Sequence, residues 1–178
     1  MTVALQPSRN VEIKARARDP EKQARLAEQL ASGPAERLVQ EDTFFVVPSG
    51  RLKLRVFAAG AGELIQYERR DAKLPSESRY LCVPTPDPEA LRAALTRALG
   101  VRAVVRKTRT VHLAGRTRIH LDRVEGLGEF IELEVVLAPG EDTSQGVAVA
   151  RELMALLEIE EDDLVEAAYV DLQEAREG

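Results

Sequence analysis

The sequence predicts an α+β fold in which short antiparallel strands outnumber helices, and three observations carry that expectation. Eight runs alternate apolar and polar residues with the period of a strand, and four segments repeat apolar residues at helical spacing. Glycines punctuate the strand runs at spacings that suit short turns and meanders rather than crossovers.

Taken in chain order, the first strand is expected over residues 10–18. A helix follows. Asp19 supplies its N-cap, Pro20 occupies the first helical position, EKQARLAEQLAS continues it, and Gly33-Pro34 stops it. Strands over 42–47, 51–57, 63–69 and 79–83 come next, separated by Gly50 and by the GAG at 60–62. Asp87-Pro88 repeats the capping device before EALRAALTRAL, and Gly100 ends that helix. Strands over 104–113, 117–124 and 130–137 are divided by Gly115-Arg116 and by Gly126 and Gly128. A third helix is expected from Thr143 or Ser144 through VAVARELMALL. A fourth is expected from near Asp162, carrying Leu164, Val165, Ala168, Tyr169 and Leu172, with the acidic EIEEDD at its N-terminus.

Composition narrows the function classes. A length of 178 residues fits one domain spanning 1–178, and a 4% aromatic share with no Trp requires a core of Leu, Val, Ile and Ala. The single Cys82 rules out an internal disulfide framework and reads as a packing thiol in a reducing compartment. MTVALQPSRN is too short an apolar run for a signal peptide, and no stretch of ~18 apolar residues exists to span a membrane. A cytoplasmic protein without membrane association is expected. A net charge of −5 opposes general nucleic-acid binding while leaving room for a local basic site.

Strand side chains alternate between faces, so residues two apart share a side. Val11, Ile13, Ala15 and Ala17 oppose Glu12, Lys14, Arg16 and Arg18; Leu52, Leu54 and Val56 oppose Arg51, Lys53 and Arg55. Ile119 and Leu121 oppose Arg118, His120 and Asp122, and Ile131, Leu133 and Val135 oppose Glu132 and Glu134. Lys107 and Arg109 alternate in the same way. Half-exposed strands would produce each alternation singly. Taken together, however, the polar faces concentrate Lys and Arg on some strands and Glu and Asp on others, which repel unless an anion and a cation sit among them. A triphosphate with divalent metal has those properties. Arg offers phosphate a planar fork and Lys a point charge, while carboxylates are hard ligands for Mg²⁺ or Mn²⁺. The basic candidates are Lys14, Arg16, Lys53, Arg55, Lys107, Arg109 and Arg118. Glu132 and Glu134 are placed to share a metal with Glu12 across the sheet.

The chain resembles the CYTH family of class IV adenylyl cyclases and thiamine triphosphatases. The resemblance runs over nearly its whole length through RNVEIKAR, DTFF followed by GRLKLR, ELIQYERR, VVRKTR, RIHLDRVEGLGEFIELEVVL and DLVEAAYVDL. It implies an antiparallel barrel of about eight strands with a charged, water-filled lumen and helices packed outside. It also implies activity on triphosphate-containing substrates with Mg²⁺ or Mn²⁺. Glu12 and Lys14 match the end of the family's ExExK motif; Lys53, Arg55, Lys107, Arg109 and Arg118 match its phosphate-binding residues; Asp122, Glu132 and Glu134 match its metal-binding acids. The first acid of ExExK is Asn10 here, which brings a carbonyl ligand but no charge.

Several residues carry two readings. Lys73 and Arg79 either reach the lumen or lie at the surface, and Glu68 either joins the lumen or pairs with Arg70. His120 is either a structural partner of a carboxylate or a proton shuttle. His112 falls on the opposite face with no acid companion, and Tyr169 is read as core packing, with closure of one tunnel mouth alongside Asp171 as the alternative. No Ser-His-Asp, Cys-His or Gly-rich phosphate loop is apparent. The activity expected first is an adenylyl cyclase, a lyase making cyclic AMP and pyrophosphate. The alternatives are hydrolysis of tripolyphosphate, nucleoside or thiamine triphosphate, and triphosphate binding without turnover. A monomer and a homodimer are both compatible with the sequence.

Overall fold

Every alternating run becomes a strand of one antiparallel sheet that closes on itself. The computed structural model describes residues 7–69, 72 and 74–177. Its strands are β1 (Ser8–Arg16), β2 (Glu36–Phe45), β3 (Arg51–Phe57), β4 (Gly62–Arg69), β5 (Ser76–Thr85), β6 (Val101–Ala114), β7 (Thr117–Val124) and β8 (Gly128–Val136). Around the closed barrel they run β1-β5-β4-β3-β2-β6-β7-β8, as the eight-strand expectation requires. Consecutive strands pair as hairpins from β2 to β5 and from β6 to β8. The long-range seams are β1–β5, β1–β8 and β2–β6.

Four helices lie outside: α1 (Pro20–Leu30), α2 (Pro88–Leu99), α3 (Thr143–Leu156) and α4 (Tyr169–Glu177). Both Asp-Pro devices act as expected, because the Asp19 side chain accepts from the Lys22 amide and that of Asp87 from the Ala90 amide, each at 3.0 Å. α1 packs on β6 and β7, α2 on β2 and β3, and α3 on β1 and β8. The apolar faces of the strands therefore point outward. Ile13, Ala15, Ile119, Ile131 and Leu133 meet Ala27 of α1 and Leu153, Met154 and Leu157 of the α3 region in one buried cluster. Each large side chain buried there contributes about 1.5–3 kcal/mol. His112 also faces outward and is buried without a partner for its Nδ1. Among the described residues, no helix is long and apolar enough to cross a membrane.

Strand bounds shift by two or three residues at β1, β5 and β6, and two elements depart further from the sequence reading. β2 begins at Glu36 rather than 42, because residues 36–41 pair with β6 although ERLVQE has no continuous apolar face to announce a strand. The fourth helix starts at Tyr169, not near Asp162: Glu161–Asp163 forms a single 3₁₀ turn, and the chain beyond it is extended. β1 pairs with β5 only as far as Glu12, which leaves the end of β1 with an open edge. Leu164 bridges Ala15 there, and the Val165 amide donates to the Lys14 carbonyl at 2.8 Å.

Close approach also dictates one glycine. A Cβ on Gly146 of α3 would lie 2.7 Å from Val11 Cγ2 and 2.8 Å from Leu137 Cδ2. Gly146→Val is expected to destabilise the protein by about 1–3 kcal/mol through overpacking, measured as a lower midpoint in urea with an unchanged slope.

Candidate active site

With the apolar faces turned outward, the charged faces line a cavity of about 860 Å³. Seven cationic side chains of the described residues surround it: Lys14, Lys53, Arg55, Arg69, Lys107, Arg109 and Arg118. Glu12, Asp42, Glu63, Glu132 and Glu134 are interleaved with them, and Asn10 and His120 also line the wall. Along β1 the lumen residues run Ser8, Asn10, Glu12 and Lys14 from one end to the other.

The Lys14 end is closed by aromatic packing. Phe44, Phe130, Ala168, Tyr169 and Val170 form a buried cluster with Val105, Val124 and Leu127, and Tyr67 packs against it. The Phe130 and Tyr169 rings meet edge to face at 5.0 Å. Three lysines stand over this floor: Lys14 Nζ lies 3.9 Å and Lys107 Nζ 5.3 Å from the Tyr169 ring centre, and Lys53 Nζ lies 5.6 Å from that of Phe44. Burial pushes all three below the ordinary lysine range, Lys107 to about 7. An anion among them would restore their charge.

Ion pairs hold this arrangement in place. Asp42, 1% exposed, accepts from Arg55 at 2.7 and 2.8 Å, Lys53 at 3.1 Å and Lys107 at 3.3 Å. Burial alone would raise its carboxyl, but Arg55, Lys107 and Lys53 hold it well below the usual carboxylate range. Glu132 pairs with Lys14 at 3.2 Å and with Arg109, and Glu134 pairs with Arg118 at 2.8 Å.

On β1, β7 and β8 the acids converge. Glu12 lies opposite Glu134 in register, and Lys14 opposite Glu132. His120, Glu132 and Glu134 each offer a ligand atom within 4.8 Å of the others, and His120 Nδ1 stands 3.7 Å from both carboxylates, outside hydrogen-bond range. Burial raises the Glu12 carboxyl to about 7, reinforced by repulsion from Glu134 and Glu132 and only partly countered by Arg69 at 3.7 Å. The buried Asn10 Oδ1 and His120 Nδ1 lack partners. Mutually repelling carboxylates beside unpartnered amide and imidazole atoms form a donor set that fits a divalent cation.

Nine of the eleven candidates read from the sequence line this cavity: Glu12, Lys14, Lys53, Arg55, Lys107, Arg109, Arg118, Glu132 and Glu134. Two lie elsewhere. Arg16 sits exposed beyond the floor, its guanidinium 5.0 Å from the Phe130 ring centre. Asp122 is buried under the floor, off the cavity wall, accepting from Arg109 at 2.5 and 2.6 Å and from the Tyr169 hydroxyl at 2.9 Å, with Arg109 linking it to Glu132. Tyr169 thus combines core packing with closure of the lumen, while Asp171 pairs outside with Arg51 at 2.9 Å and Arg102 at 2.6 Å. Arg79 points outward onto Glu77 at 2.7 Å, and Glu68 is absent from the cavity wall. Lys73 and Arg70 lie outside the described residues. The sequence reading passed over Asp42 and Arg69. Counting alternate residues from Phe44 and from Tyr67 would have placed both on lumen faces.

Comparison with known proteins agrees with this geometry. The CYTH domain family matches residues 8–169. The PH1012 protein of Pyrococcus horikoshii is 26% identical, with a TM-score of 0.82 over 92% of this chain and 98% of that one. A proposed adenylate cyclase of Vibrio parahaemolyticus is 18% identical (TM-score 0.73; 93% and 97% covered). A proposed adenylyl cyclase of Hippeastrum, described as having a dominant triphosphatase activity, is 15% identical (TM-score 0.67; 94% and 96% covered). The last two share the fold with this chain. Among functionally curated proteins, none matches the sequence.

The environment of Glu12 sets a pH dependence. Its folded carboxyl titrates near 7 against an ordinary 4.5, so between those values the folded state binds more protons than the unfolded state. Its contribution to stability therefore falls as pH rises through that window. Without metal, Glu12→Gln is expected to flatten the decline of melting temperature between pH 5 and pH 8 and to raise the value at pH 8. A wild-type slope retained in the variant would assign the titration elsewhere.

Proposed function

The chain belongs to the CYTH family, and from that premise we propose that it is a metal-dependent enzyme acting on an organic triphosphate, as an adenylyl cyclase that converts ATP to cyclic AMP and pyrophosphate. The observation that carries the reading is the division of the cavity along its axis. Lys14, Lys53 and Lys107 lie over the aromatic floor, while Glu12 and Glu134 lie one strand step, about 7 Å, nearer the mouth. Terminal phosphates on the lysines would put the α-phosphate beside the acids. Nearer the mouth, Leu38, Phe57, Ala59, Ala61 and Val111 offer apolar wall to a nucleoside, and the cavity has the size of a site for a drug-sized ligand.

In this reading the ribose 3′-hydroxyl oxygen attacks the α-phosphorus and gives up its proton to solvent water, the α–β P–O bond breaks, and pyrophosphate leaves onto Lys14, Lys53 and Lys107. Arg55 and Arg109 turn their Nε and Nη2 edges onto Asp42 and Asp122, and their charge beside the chain would neutralise charge developing on the departing oxygens. A divalent cation held by Glu12, Glu132 and Glu134, with His120 and Asn10 as neutral donors, would neutralise phosphate charge and orient the chain. The chemistry is mostly positioning.

Hydrolysis of the terminal phosphate is the second reading, and one contact favours it. Glu132 is bonded to Lys14, so the acidic set also reaches the level of the deepest phosphate. Asn10, neutral where the family motif has an acid, is what supports binding without turnover.

Incubation with ATP, tripolyphosphate or thiamine triphosphate, each with Mg²⁺ or Mn²⁺, separates these readings. Cyclic AMP with pyrophosphate is the expected result, orthophosphate identifies a hydrolase, and ligand-dependent stabilisation without product identifies a binder. Failure of every ligand to raise the melting temperature removes the triphosphate site. Glu134→Gln is expected to lower metal-dependent turnover by about 100-fold, on the order of losing a group that holds or orients a metal, with an unchanged circular dichroism spectrum. Full activity would take Glu134 out of the site.

A further inference from the structure

The floor of the cavity bears on how a phosphate chain lies within it. Tyr169 occupies its centre, edge to face with Phe130, and its hydroxyl donates to Asp122, which in turn grips Arg109. Behind the ring, α4 is fastened across the end of the barrel by contacts of several kinds. Asp171 joins Arg51 of β3 to Arg102 of β6 and also accepts from the Ala168 amide at 3.0 Å, Glu174 adds a second pair with Arg102 at 2.7 Å, and Val170 is fully buried. The next member of the β1 charged face after Lys14, Arg16, lies past this barrier and is separated from the lumen by the Phe130 ring. From Ser8 to Lys14 the lumen is about 15 Å deep, taking the strand rise and the usual tilt of barrel strands together.

A chain of phosphates passing through a barrel needs both ends open. Here the basic path stops at Lys14, Lys53 and Lys107, and what lies beyond them is aromatic and buried. The cations at that end, Arg51 and Arg102, are already engaged by Asp171 and Glu174, so moving a phosphate past the lysines means burying charge against aromatic rings and committed ion pairs. The lysines, by contrast, have donors to spare for a terminal phosphate, which carries one more free oxygen than an internal one.

We propose that the cavity is a blind pit that recognises a phosphate chain by its free end, with the Tyr169 ring as the stop, so that substrates enter terminal phosphate first and the interior of a longer polyphosphate is not engaged. Tyr169 has a second part in this as a positioning residue, because its hydroxyl fixes Asp122 and thereby Arg109. The inference rests on the triphosphate reading above but is independent of which bond is cut.

The test uses the intact protein in EDTA, so that nothing is turned over. Tripolyphosphate binding is measured by calorimetry. Sedimentation then counts the copies bound per chain on short and long linear polyphosphates, scoring only protein that excess tripolyphosphate displaces. Displaceable binding capped at one copy per chain end, whatever the chain length, is the expected result. Copies that increase with chain length, with tripolyphosphate still bound, overturn the blind pit and leave the triphosphate site standing. No tripolyphosphate binding overturns both. Tyr169→Ala supplies a second arm wherever circular dichroism shows it folded: the affinity ratio of tetrapolyphosphate to tripolyphosphate is expected to rise severalfold, and an unchanged ratio removes Tyr169 from the role of stop.

Discussion

Seven cationic side chains inside one barrel repel one another, and the means of containing that repulsion organises the molecule. Asp42 is the principal means. Buried on β2, it reaches Arg55 and Lys53 on one neighbouring strand and Lys107 on the other, tying three cations from two seams to one carboxylate. Across the lumen Glu132 takes Lys14 and Arg109, and Glu134 takes Arg118. Breaking such a buried set from one side leaves uncompensated charge, at a cost of about 3–5 kcal/mol for a single pair. Burial raises the Glu12 carboxyl and the neighbouring Glu134 and Glu132 reinforce it, whereas at Asp42 and Glu132 the surrounding cations outweigh burial.

A charged interior has a second consequence, for the core. In most small barrels the lumen is filled by side chains and contributes burial; here it cannot, so apolar burial moves to the outer wall. The apolar faces of β1, β7 and β8 then require cover, which α1 and α3 supply through Ala27, Leu153, Met154 and Leu157. Gly146 lets α3 approach β1 closely enough to do so. The helices are thus as necessary to the site as the residues lining it, because they stabilise a barrel whose inside is spent on charge.

How much of this was legible from sequence follows from what alternation can encode. The period of two assigns a side chain to a face, and it placed Glu12, Lys14, Lys53, Arg55, Lys107, Arg109, Arg118, Glu132 and Glu134 on the lumen wall. It says nothing about where along a strand the lumen ends. Arg16 and Asp122 have the right parity and lie at or beyond the floor, because Phe130 and Tyr169 intervene, and Tyr169 comes from a distant helix. Asp42 and Arg69 sit among aromatic neighbours, Phe44 and Tyr67, so their faces do not read as charged. The late start of α4 was hidden for another reason: helical spacing in DLVEAAYVDL is outcompeted by the open edge of β1, a tertiary partner that local pattern does not contain.

The aromatic floor also imposes an order on traffic. A compartment with one door empties in the reverse of the order in which it filled. If a chain that entered phosphate first is cut in place, the outer fragment departs first and the fragment on the three lysines departs last. That inner fragment then occupies the ground the next substrate must take, so the two exclude each other, whereas the outer fragment obstructs a complex from which the inner one has not yet gone. The rate of turnover would be governed by how tightly Lys14, Lys53 and Lys107 hold what they have just received, which ties catalytic speed to the same buried charges that keep the barrel open.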